Sequence, residues 1–434
     1  MIDIQLLRED PERLRRAIRD KGLGDPSLVD QLQTLDERRR TSLTELQQAQ
    51  ARSNAISKEI GEYMRSGRKD EAQDLIEESS QLKQRIKDLE ESARQVEEEL
   101  EGKMLDLPNL PHPSVPVGRT PDDNEVIATV GELPTFDFNP VAHWELAERH
   151  GLIDFERGAK VTGAGFPSYV GRGARLQRAL INFFLDTAVR DGGYTELQPP
   201  LLVNADSARG TGQLPDKEAL MYEAERDELF LIPTAEVPVT NLLRDEILET
   251  DRLPIKYAAY TPCFRREAGS YGKDVRGLNR LHQFDKVELV RCVHPTTSYE
   301  ALEELRADAE RPLKALGLPY RVLLMCTGDM GFTQTKKYDL EVWSAGQERW
   351  LEVSSISNFE DFQSRRMQIR HRGDAQKKTE LVHTLNGSGL ALPRIVAALL
   401  EHYQQADGSI RIPEALQSYT GFERIDRAAA ATIT

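Results

Sequence analysis

The sequence predicts an α+β protein in which an N-terminal antiparallel α-helical coiled-coil hairpin precedes a larger domain built on an antiparallel β-sheet flanked by helices. The first quarter of the chain carries heptad-spaced apolar residues, which are typical of paired helices. The remainder mixes strand-like and helical segments without regular strand–helix alternation. This mixture favours an antiparallel sheet over a parallel one.

Length and composition allow two domains and exclude several classes of protein. The chain has 434 residues, of which 39% are hydrophobic, so it can bury a full core. No apolar run approaches the roughly 18 residues needed to cross a bilayer, and the start MIDIQLLREDPERLRRAI lacks the apolar block of a signal peptide. We therefore expect a cytoplasmic protein that does not bind membranes. The formal net charge of −15 repels polyanions on average, so any contact with nucleic acid must be local.

The cysteines indicate neither a disulfide framework nor a zinc site. Cys263, Cys292 and Cys326 lie far apart, with no CxxC pair and no histidine at ligand spacing. We expect them to be buried free thiols.

The helical hairpin is predicted from a seam of apolar and small residues. The second helix shows the seam more clearly, because its seam residues are spaced alternately four and three residues apart. Ser66-Gly67 can reverse the chain before this helix. Each arm should have about 36 residues and a length of about 54 Å. Basic residues concentrate on the first helix and acidic ones on the second, which suits a directional contact with a polyanion. A dimerisation coiled coil or a spacer is the alternative. The seam of the second helix comprises Leu75, Ser79, Leu82, Ile86, Leu89, Ala93, Val96 and Leu100.

The proline-rich segment LDLPNLPHPSVPVG cannot continue a helix and marks the domain boundary. We place that boundary near residue 110, which divides the chain into domains 1–110 and 111–434. The second domain contains strand and helix signals, among them the amphipathic helix GARLQRALINFFLDTAVRDGG and the strand-like YTELQPPLLV.

A strand–loop–strand segment concentrates positive charge within this acidic chain. It reads AAYTPCFRRE, AGSYGKDVRGLNR and LHQFDKVELV. Alternation predicts Arg265 and Glu267 on one strand face, and Phe284, Lys286 and Glu288 on one face of the partner strand. A guanidinium, a carboxylate and an aromatic ring together suit a nucleotide. A solvated charged hairpin is the alternative.

The segment TLNGSGLALPRIVAALLEHY sets a Gly-Ser-Gly turn and an arginine at the start of an apolar helix. Pro393 suits the first helical turn, and a helix N-terminus next to glycines can bind an anion. A simple strand-to-helix turn is the alternative. The earlier GAGFPS lacks the third glycine of a dinucleotide-binding fingerprint, so we reject a Rossmann fold.

Three motifs, in order, resemble motifs 1, 2 and 3 of class II aminoacyl-tRNA synthetases. They are GGYTELQPP, FRRE with RLHQF, and GSGLALPR. The helical hairpin, PTAEVP, FDKVELV and EVSSISNFEDFQSRR narrow the resemblance to the bacterial type of seryl-tRNA synthetase. The resemblance extends from Met1 to Gly421. It implies a class II synthetase catalytic domain behind a tRNA-binding domain.

The resemblance also implies a reaction. L-Serine is activated by ATP, with Mg²⁺, to seryl-adenylate, and the seryl group is transferred to tRNA-Ser, and to tRNA-Sec where that tRNA is present. The hairpin is expected to contact the long variable arm of tRNA-Ser, and Lys273 and Arg276 to meet its acceptor end. The class implies a homodimer formed through the helix from Leu176 to Ala188 and YTELQPP.

Site residues follow from the resemblance, position by position. The serine-binding positions match Thr234, Ala235, Glu236, Glu288 and Ser388. The ATP-binding positions match Arg265, Arg266, Glu267, Arg280, Leu281, Phe284, Glu352, Val353, Ser354, Ser355 and Arg394. Among these, Arg265 and Arg394 correspond to catalytic arginines, Phe284 to the ring that stacks on adenine, and Glu352 and Ser355 to Mg²⁺ ligands.

Two positions depart from the family pattern, and two other functions remain open. Gly165 stands where the family often has arginine, and Pro393 where it often has glycine. A paralogue that loads an amino acid onto a carrier protein is one alternative, although such paralogues lack the long arm. A coiled-coil adaptor with an inactive nucleotide-binding body is the other.

Overall fold

The computed structural model describes residues 1–216, 219–267, 276–372 and 378–426. The chain forms two compact units, Met1–Pro108 and Asn109–Thr434. Within the described ranges, every helix is too short or too polar to span a bilayer. Lys273, which was expected to meet tRNA, lies outside the described residues.

The first unit is entirely helical. Asp3 and Asp10 cap two short helices by accepting backbone N–H groups of Gln5 and Arg13. Two long helices then run antiparallel, and Gly67, with a φ of 75°, lies in the turn between them. The helices are α1 (Ile4–Glu9), α2 (Pro11–Lys21), α3 (Leu28–Arg65) and α4 (Gln73–Met104).

The seam of this hairpin is confirmed. All eight residues predicted on α4 are buried or half-buried, and Ala49 and Ile56 are buried opposite them on α3. Ion pairs also cross between the helices: Arg39 lies 2.8 Å from Glu97, and Arg52 lies 2.9 Å from Glu78. Part of the basic charge on α3 is therefore neutralised by the acidic helix beside it.

The second unit is built on an eight-stranded sheet in the order β1-β11-β12-β13-β16-β10-β9-β4. All neighbours in it are antiparallel except β4 and β9. Its strands are β1 (Glu125–Val130), β2 (Ile153–Asp154), β3 (Ser168–Tyr169), β4 (Thr195–Leu197), β5 (Leu202–Asn204), β6 (Glu223–Ala224), β7 (Leu229–Leu231), β8 (Ile247–Glu249), β9 (Ile255–Phe264), β10 (Gln283–Val293), β11 (Tyr320–Leu324), β12 (Lys336–Ser344), β13 (Arg349–Glu360), β14 (Arg370–Arg372), β15 (Thr379–Leu381), β16 (His383–Ala391), β17 (Ile410–Arg411) and β18 (Arg424–Ile425).

Helices cover the apolar face of this sheet. Leu180, Leu305 and Leu399, one from each of three helices, are buried in a single core with the sheet residues Val287 and Ile356. Gly387 permits this packing, because a Cβ there would lie 3.1 Å from the side chain of Leu305. The helices of the unit are α5 (His143–Arg149), α6 (Phe155–Thr162), α7 (Arg172–Gly192), α8 (Ala205–Thr211), α9 (Glu236–Asn241), α10 (Ser298–Ala315), α11 (Phe362–Met367), α12 (Leu392–His402) and α13 (Glu414–Thr420).

The predicted α+β fold is confirmed, with one local correction. Arg265 and Glu267 were expected on one face of a strand, but β9 ends at Phe264 and Glu267 has a φ of 47°. The chain leaves the sheet at that point, since left-handed backbone cannot continue a strand. All three cysteines are buried and free, as predicted.

Candidate active site

A polar cleft of about 560 Å³ opens over the sheet, lined by residues that the sequence places far apart. The register explains part of this convergence: Glu288 of β10 lies opposite Ser388 of β16, and Ser388 follows Gly387, which pairs with Ile356 of β13. Three neighbouring strands therefore bring motif 2, motif 3 and the EVSS segment together.

One end of the cleft contains two buried carboxylates. Glu288 is completely buried, and its Oε2 accepts a hydrogen bond from Thr234 Oγ1 at 2.8 Å. Lys286 forms an ion pair with Glu288 and also donates to Thr234 Oγ1 at 2.8 Å. Glu288 does not itself line the cleft, whereas Thr234 and Lys286 do. Ala235 is buried beside them and does not line the cleft either.

Glu236 is the second carboxylate and reaches the cleft surface. Gln363 Nε2 donates to its Oε1 at 2.6 Å, and Asn386 Nδ2 donates to its Oε2 at 2.7 Å. Asn386 Nδ2 also lies 3.2 Å from Glu288 Oε1, so one amide bridges the two acids. Burial and the nearby charge of Glu288 raise the pKa of Glu236 to about 7.

The middle of the cleft pairs a guanidinium with an aromatic ring. Arg265 lies with its Cζ 5.2 Å from the ring centroid of Phe284, a cation–π distance. Its Nε donates to Pro233 O at 3.3 Å, which fixes the side chain over the sheet. Glu267 forms an ion pair with Arg280, and both line the cleft.

Arg266 is the predicted ATP-binding residue that the cleft lining does not include. Its side chain is exposed, and its backbone N–H donates to Leu220 O at 2.8 Å. The main-chain bond anchors the turn after β9. The remaining predicted positions, Leu281, Val353, Ser354 and Ser388, all line the cleft.

At the far end of the cleft, Glu352 and Lys337 line the surface, and Asp339 is buried beside Lys337 without lining it. Asp339 Oδ2 lies 3.1 Å from Lys337 Nζ, and Asp339 pairs in register with Ser355. Burial and the charge of Glu352 raise the pKa of Asp339 to about 7. The Glu352 side chain is 46% exposed, and the charges of Lys337 and Arg394 hold its pKa below the ordinary value.

Arg394 joins motif 3 to this end of the cleft. Its Nη1 donates to Glu352 O at 2.7 Å and lies 3.9 Å from the Glu352 carboxylate. Its Nε donates to Asn279 O at 2.9 Å. Pro393 occupies the first turn of α12 immediately before it, as predicted from the sequence.

The donors at this end suit a hard divalent cation. Glu352, Ser355 and Asp339 present only oxygen atoms, which Mg²⁺ prefers. Asp339 Oδ1 is buried and has no hydrogen-bond partner among the described residues. A buried carboxylate oxygen left in this state is stabilised by a cation.

A second group of potential metal ligands lies outside the cleft. His294, His371 and Glu380 have ligand atoms within 4.8 Å of one another. His294 Nδ1 lies 2.7 Å from Thr296 Oγ1 and 3.3 Å from Thr296 N, so this ring nitrogen is already engaged by Thr296.

The glycine that departs from the family pattern is required by its surroundings. Gly165 has a φ of 85°, and a Cβ there would lie 2.4 Å from His282 Cδ2. Its carbonyl accepts the backbone N–H of His282 at 3.0 Å, and Phe166 stacks on the His282 ring. The segment before motif 1 therefore packs directly on motif 2.

Several residues in or beside the cleft received no role from sequence reasoning. Alternation placed Lys286 on the same strand face as Phe284 and Glu288, but no role was assigned to it. Asn386, Gln363 and Asp339 carried no such signal, because their importance depends on contacts between distant segments. Asn386 and Gln363 are 150 and 127 residues from Glu236, which both contact.

Comparisons with known proteins identify the family of the chain. A family model described as the seryl-tRNA synthetase N-terminal domain matches residues 1–111, and one described as the tRNA synthetase class II core domain (G, H, P, S and T) matches residues 220–403. A serine–tRNA ligase of Salinibacter ruber is 64% identical over 425 residues, which cover 98% of this chain and 99% of the relative. The chain belongs to the seryl-tRNA synthetase family.

Other members of the seryl-tRNA synthetase family agree in sequence and structure. The serine–tRNA ligase of Geobacter sulfurreducens is 53% identical, and the match covers 97% of this chain and 99% of that protein. A seryl-tRNA synthetase from Pyrococcus horikoshii, crystallised with ATP, is 37% identical with a TM-score of 0.93, covering 99% of this chain and 100% of the other. A cytoplasmic serine–tRNA ligase from Naegleria fowleri in complex with AMP is 28% identical, with a TM-score of 0.87, 98% of this chain and 99% of the other being covered. The resemblance found in the sequence is confirmed.

Proposed function

We propose that this chain activates L-serine with ATP and transfers the seryl group to tRNA-Ser. One observation carries the proposal: two buried carboxylates, offset by a single lysine, lie at one end of a cleft whose centre holds a guanidinium on an aromatic ring. Serine supplies the ammonium and hydroxyl donors that suit the first group, and ATP supplies the base and phosphates that suit the second.

The serine pocket comprises Thr234, Ala235, Glu236, Glu288 and Ser388. When Glu236 and Glu288 are both ionised, Lys286 leaves one negative charge in excess, and the substrate ammonium compensates it. Alanine would leave the polar groups that face the serine hydroxyl without a partner, and discrimination of that kind reaches about 10⁴ to 10⁵. Threonine must be excluded by the size of the pocket.

The ATP site comprises the remaining predicted residues. Phe284 stacks on adenine, Arg280 and Arg394 hold the triphosphate, and Arg265 lies between the serine pocket and the phosphates. Glu352, Ser355 and Asp339 would hold Mg²⁺, which neutralises phosphate charge and orients the leaving pyrophosphate when bound. Arg266 anchors the turn after β9 and meets the nucleotide only if its exposed side chain folds back over the cleft.

The first reaction step needs charge neutralisation more than acid–base catalysis. A serine carboxylate oxygen attacks the α-phosphorus, a P–O bond forms, and pyrophosphate leaves with the electrons of the broken bond. Both reactants are anionic, so a bidentate guanidinium at Arg265 lowers the barrier by holding both in one geometry. A ribose hydroxyl of the tRNA 3′ end then attacks the carbonyl carbon of seryl-adenylate. The ester bond forms as the bond from this carbon to the phosphate oxygen breaks, AMP leaves with those electrons, and the hydroxyl proton passes to the departing phosphate or to water.

The helical hairpin is the proposed tRNA-binding arm, acting on the long variable arm of tRNA-Ser and on tRNA-Sec where that tRNA is present. Arg38 and Arg40 of α3 have side chains that are 58% and 60% exposed and lie in longer ion pairs of 4.0 and 3.4 Å, whereas Arg39 is 26% exposed and lies 2.8 Å from Glu97. The first two are therefore better placed to meet phosphates. We place the reaction in the cytoplasm, where ATP and tRNA are available.

A homodimer is proposed from the edge of the sheet. β4 is the last strand of the main sheet, and a groove of about 610 Å³ runs between it and α7. Ile181 and Leu197 line this groove together with Tyr260. A second copy of the chain would cover these apolar side chains.

Serine-dependent exchange of pyrophosphate into ATP tests the activation step, and aminoacylation of purified tRNA-Ser tests transfer. Alanine and threonine in place of serine should give exchange lower by at least about 100-fold. An adaptor with an inactive body would show no exchange. A paralogue acting on a carrier protein would show exchange without charging tRNA-Ser.

A further inference from the structure

A buried hydrogen-bond network connects α5 and α12 to motif 2 through residues that are not among the proposed substrate contacts. His143, the first residue of α5, is completely buried and lies with Nδ1 2.7 Å from Glu401 Oε1 on α12. Its Nε2 accepts the backbone N–H of Leu278 at 2.9 Å. Because Nε2 accepts, the ring proton is on Nδ1 and is donated to Glu401. The network therefore fixes both the tautomer and the orientation of the ring.

Glu401 is a rigid support for that ring. It is completely buried, and its carboxylate also accepts hydrogen bonds from Ser344 Oγ, from Gly346 N at 3.0 Å and from His143 N at 2.9 Å. Burial opposes its ionisation, but the hydrogen bonds from His143 and Ser344 lower the pKa of Glu401. A buried carboxylate satisfied in this way holds its partners in a single arrangement.

Helix α12, which carries Glu401, also contacts motif 2 through Arg394. Arg394 lies two turns before Glu401 on α12, and so shares its face. Arg394 Nε donates to Asn279 O, while Glu401 acts through His143 on the N–H of Leu278. A side branch completes the network: Asn279 Nδ2 donates to Gln347 Oε1 at 2.9 Å, and Gln347 Nε2 lies 3.3 Å from Glu401 Oε1.

The backbone of residues 276–279 is docked closely against α5. Gly277 has a φ of 67°, and a Cβ at this position would lie 2.3 Å from His143 Nε2 and 3.0 Å from Trp144 Cε3. The guanidinium of Arg276 lies 4.6 Å from the centroid of the Trp144 ring. Arg276 is expected to meet the acceptor end of tRNA; it remains exposed while its guanidinium lies over Trp144 of α5.

We propose that His143 and Glu401 are positioning residues that set the return segment of motif 2 for ATP. The proposal rests on the function proposed above. Arg280 directly follows Leu278 and Asn279, the residues held by this network, and lines the cleft in an ion pair with Glu267. The serine pocket is formed by β10, β16 and Thr234, and among the described residues it shares no hydrogen bond with His143 or Glu401. Weakening the contact of His143 with Leu278 should therefore raise KM for ATP and leave KM for serine unchanged.

The test is serine-dependent pyrophosphate exchange with His143→Leu, with KM measured separately for ATP and serine. We expect KM for ATP to rise at least about tenfold, since a displacement of about 1 Å can cost up to about 100-fold, and KM for serine to stay within about twofold. His143→Gln should recover part of the loss, because its amide can accept from Leu278 and donate to Glu401. His150→Leu is the matched control, since His150 lies at the other end of α5 and bonds to Asp426 O.

Gly277→Ala provides a second variant that leaves His143 and Glu401 in place. Its added methyl group pushes the segment away from His143, so it should raise KM for ATP in the same selective way. The proposal is overturned if KM for ATP is unchanged in folded His143→Leu, or if both KM values and the melting temperature change together in both variants. Absence of exchange in the unmodified protein would instead refute the proposed function.

Discussion

The pH dependence of serine use provides a direct test of the buried carboxylates. Glu236 has a pKa raised to about 7 by burial and by the charge of Glu288. Below that pH the carboxyl is neutral and loses its attraction for the substrate ammonium, which stays protonated throughout. The excess negative charge beside Lys286 then disappears. Serine should therefore bind less well as the pH falls through 7.

The size of this effect follows from the fraction of Glu236 that is ionised. With a pKa of about 7, roughly 90% is ionised at pH 8 and roughly 10% at pH 6. We expect kcat/KM for serine, measured by pyrophosphate exchange at saturating ATP, to fall about tenfold between these pH values. The KM for ATP, measured at saturating serine, should show no matching inflection.

Glu236→Gln is the control for this assignment. The amide cannot ionise, and one of its hydrogen bonds from Gln363 or Asn386 becomes a clash of two donors, so the activity should be low at every pH. Its residual kcat/KM for serine should not change between pH 6 and 8. A flat profile in the unmodified protein, or an inflection that persists in Glu236→Gln, would refute the reasoning.

Three further outcomes are expected. Arg265→Lys should lower the exchange rate at least about 100-fold, because an ammonium cannot reproduce a bidentate guanidinium; a loss below tenfold would remove Arg265 from the phosphates. Removing residues 45–90 keeps the base of the hairpin, where Arg39 bonds to Glu97, so the rate of pyrophosphate exchange should stay within about twofold. Charging of tRNA-Ser should fall by orders of magnitude, and the salt slope of tRNA binding should flatten by about 0.7 to 0.9 per lost phosphate contact. Equal charging by the shortened chain would make the arm a spacer. Light scattering should give twice the chain mass of 49.1 kDa, and Ile181→Asp should shift it towards one copy; a single-copy mass for the unmodified chain would contradict the dimer.

How far the sequence predicts the structure depends on the distance over which each feature is determined. The hairpin seam was predicted residue by residue, since heptad periodicity and the Ser66-Gly67 turn are local. The turn after β9 was not, because the left-handed backbone of Glu267 is imposed by the fold around it. Even so, Arg265 and Glu267 both line the cleft. The motif residues converge although the predicted strand was too long.

The sequence indicated the motif residues of the candidate site. It did not indicate the side chains that support those motif residues. Thr234 and Glu288 are 54 residues apart, yet both lie in motifs that could be recognised. His143 and Glu401 are 258 residues apart and carry no motif, and their relation exists only because α5 packs against α12. Periodicity cannot indicate such a pair, because a histidine or glutamate near the end of a helix is common and carries no signal of a distant partner.

Each of the two ends places a pair of carboxylates beside a lysine. Glu236 and Glu288 lie beside Lys286 and keep one negative charge in excess, whereas Asp339 and Glu352 lie beside both Lys337 and Arg394. In both pairs burial and the second acid raise one pKa to about 7. The buried pair of Glu236 and Glu288 costs free energy until a cation arrives. The proposed substrates supply one at each end: the serine ammonium at the first, and the Mg²⁺ that accompanies ATP at the second. The charge of Arg265 acts on both Glu236 and Glu352, so we propose that the serine carboxylate and the α-phosphate meet beside this guanidinium.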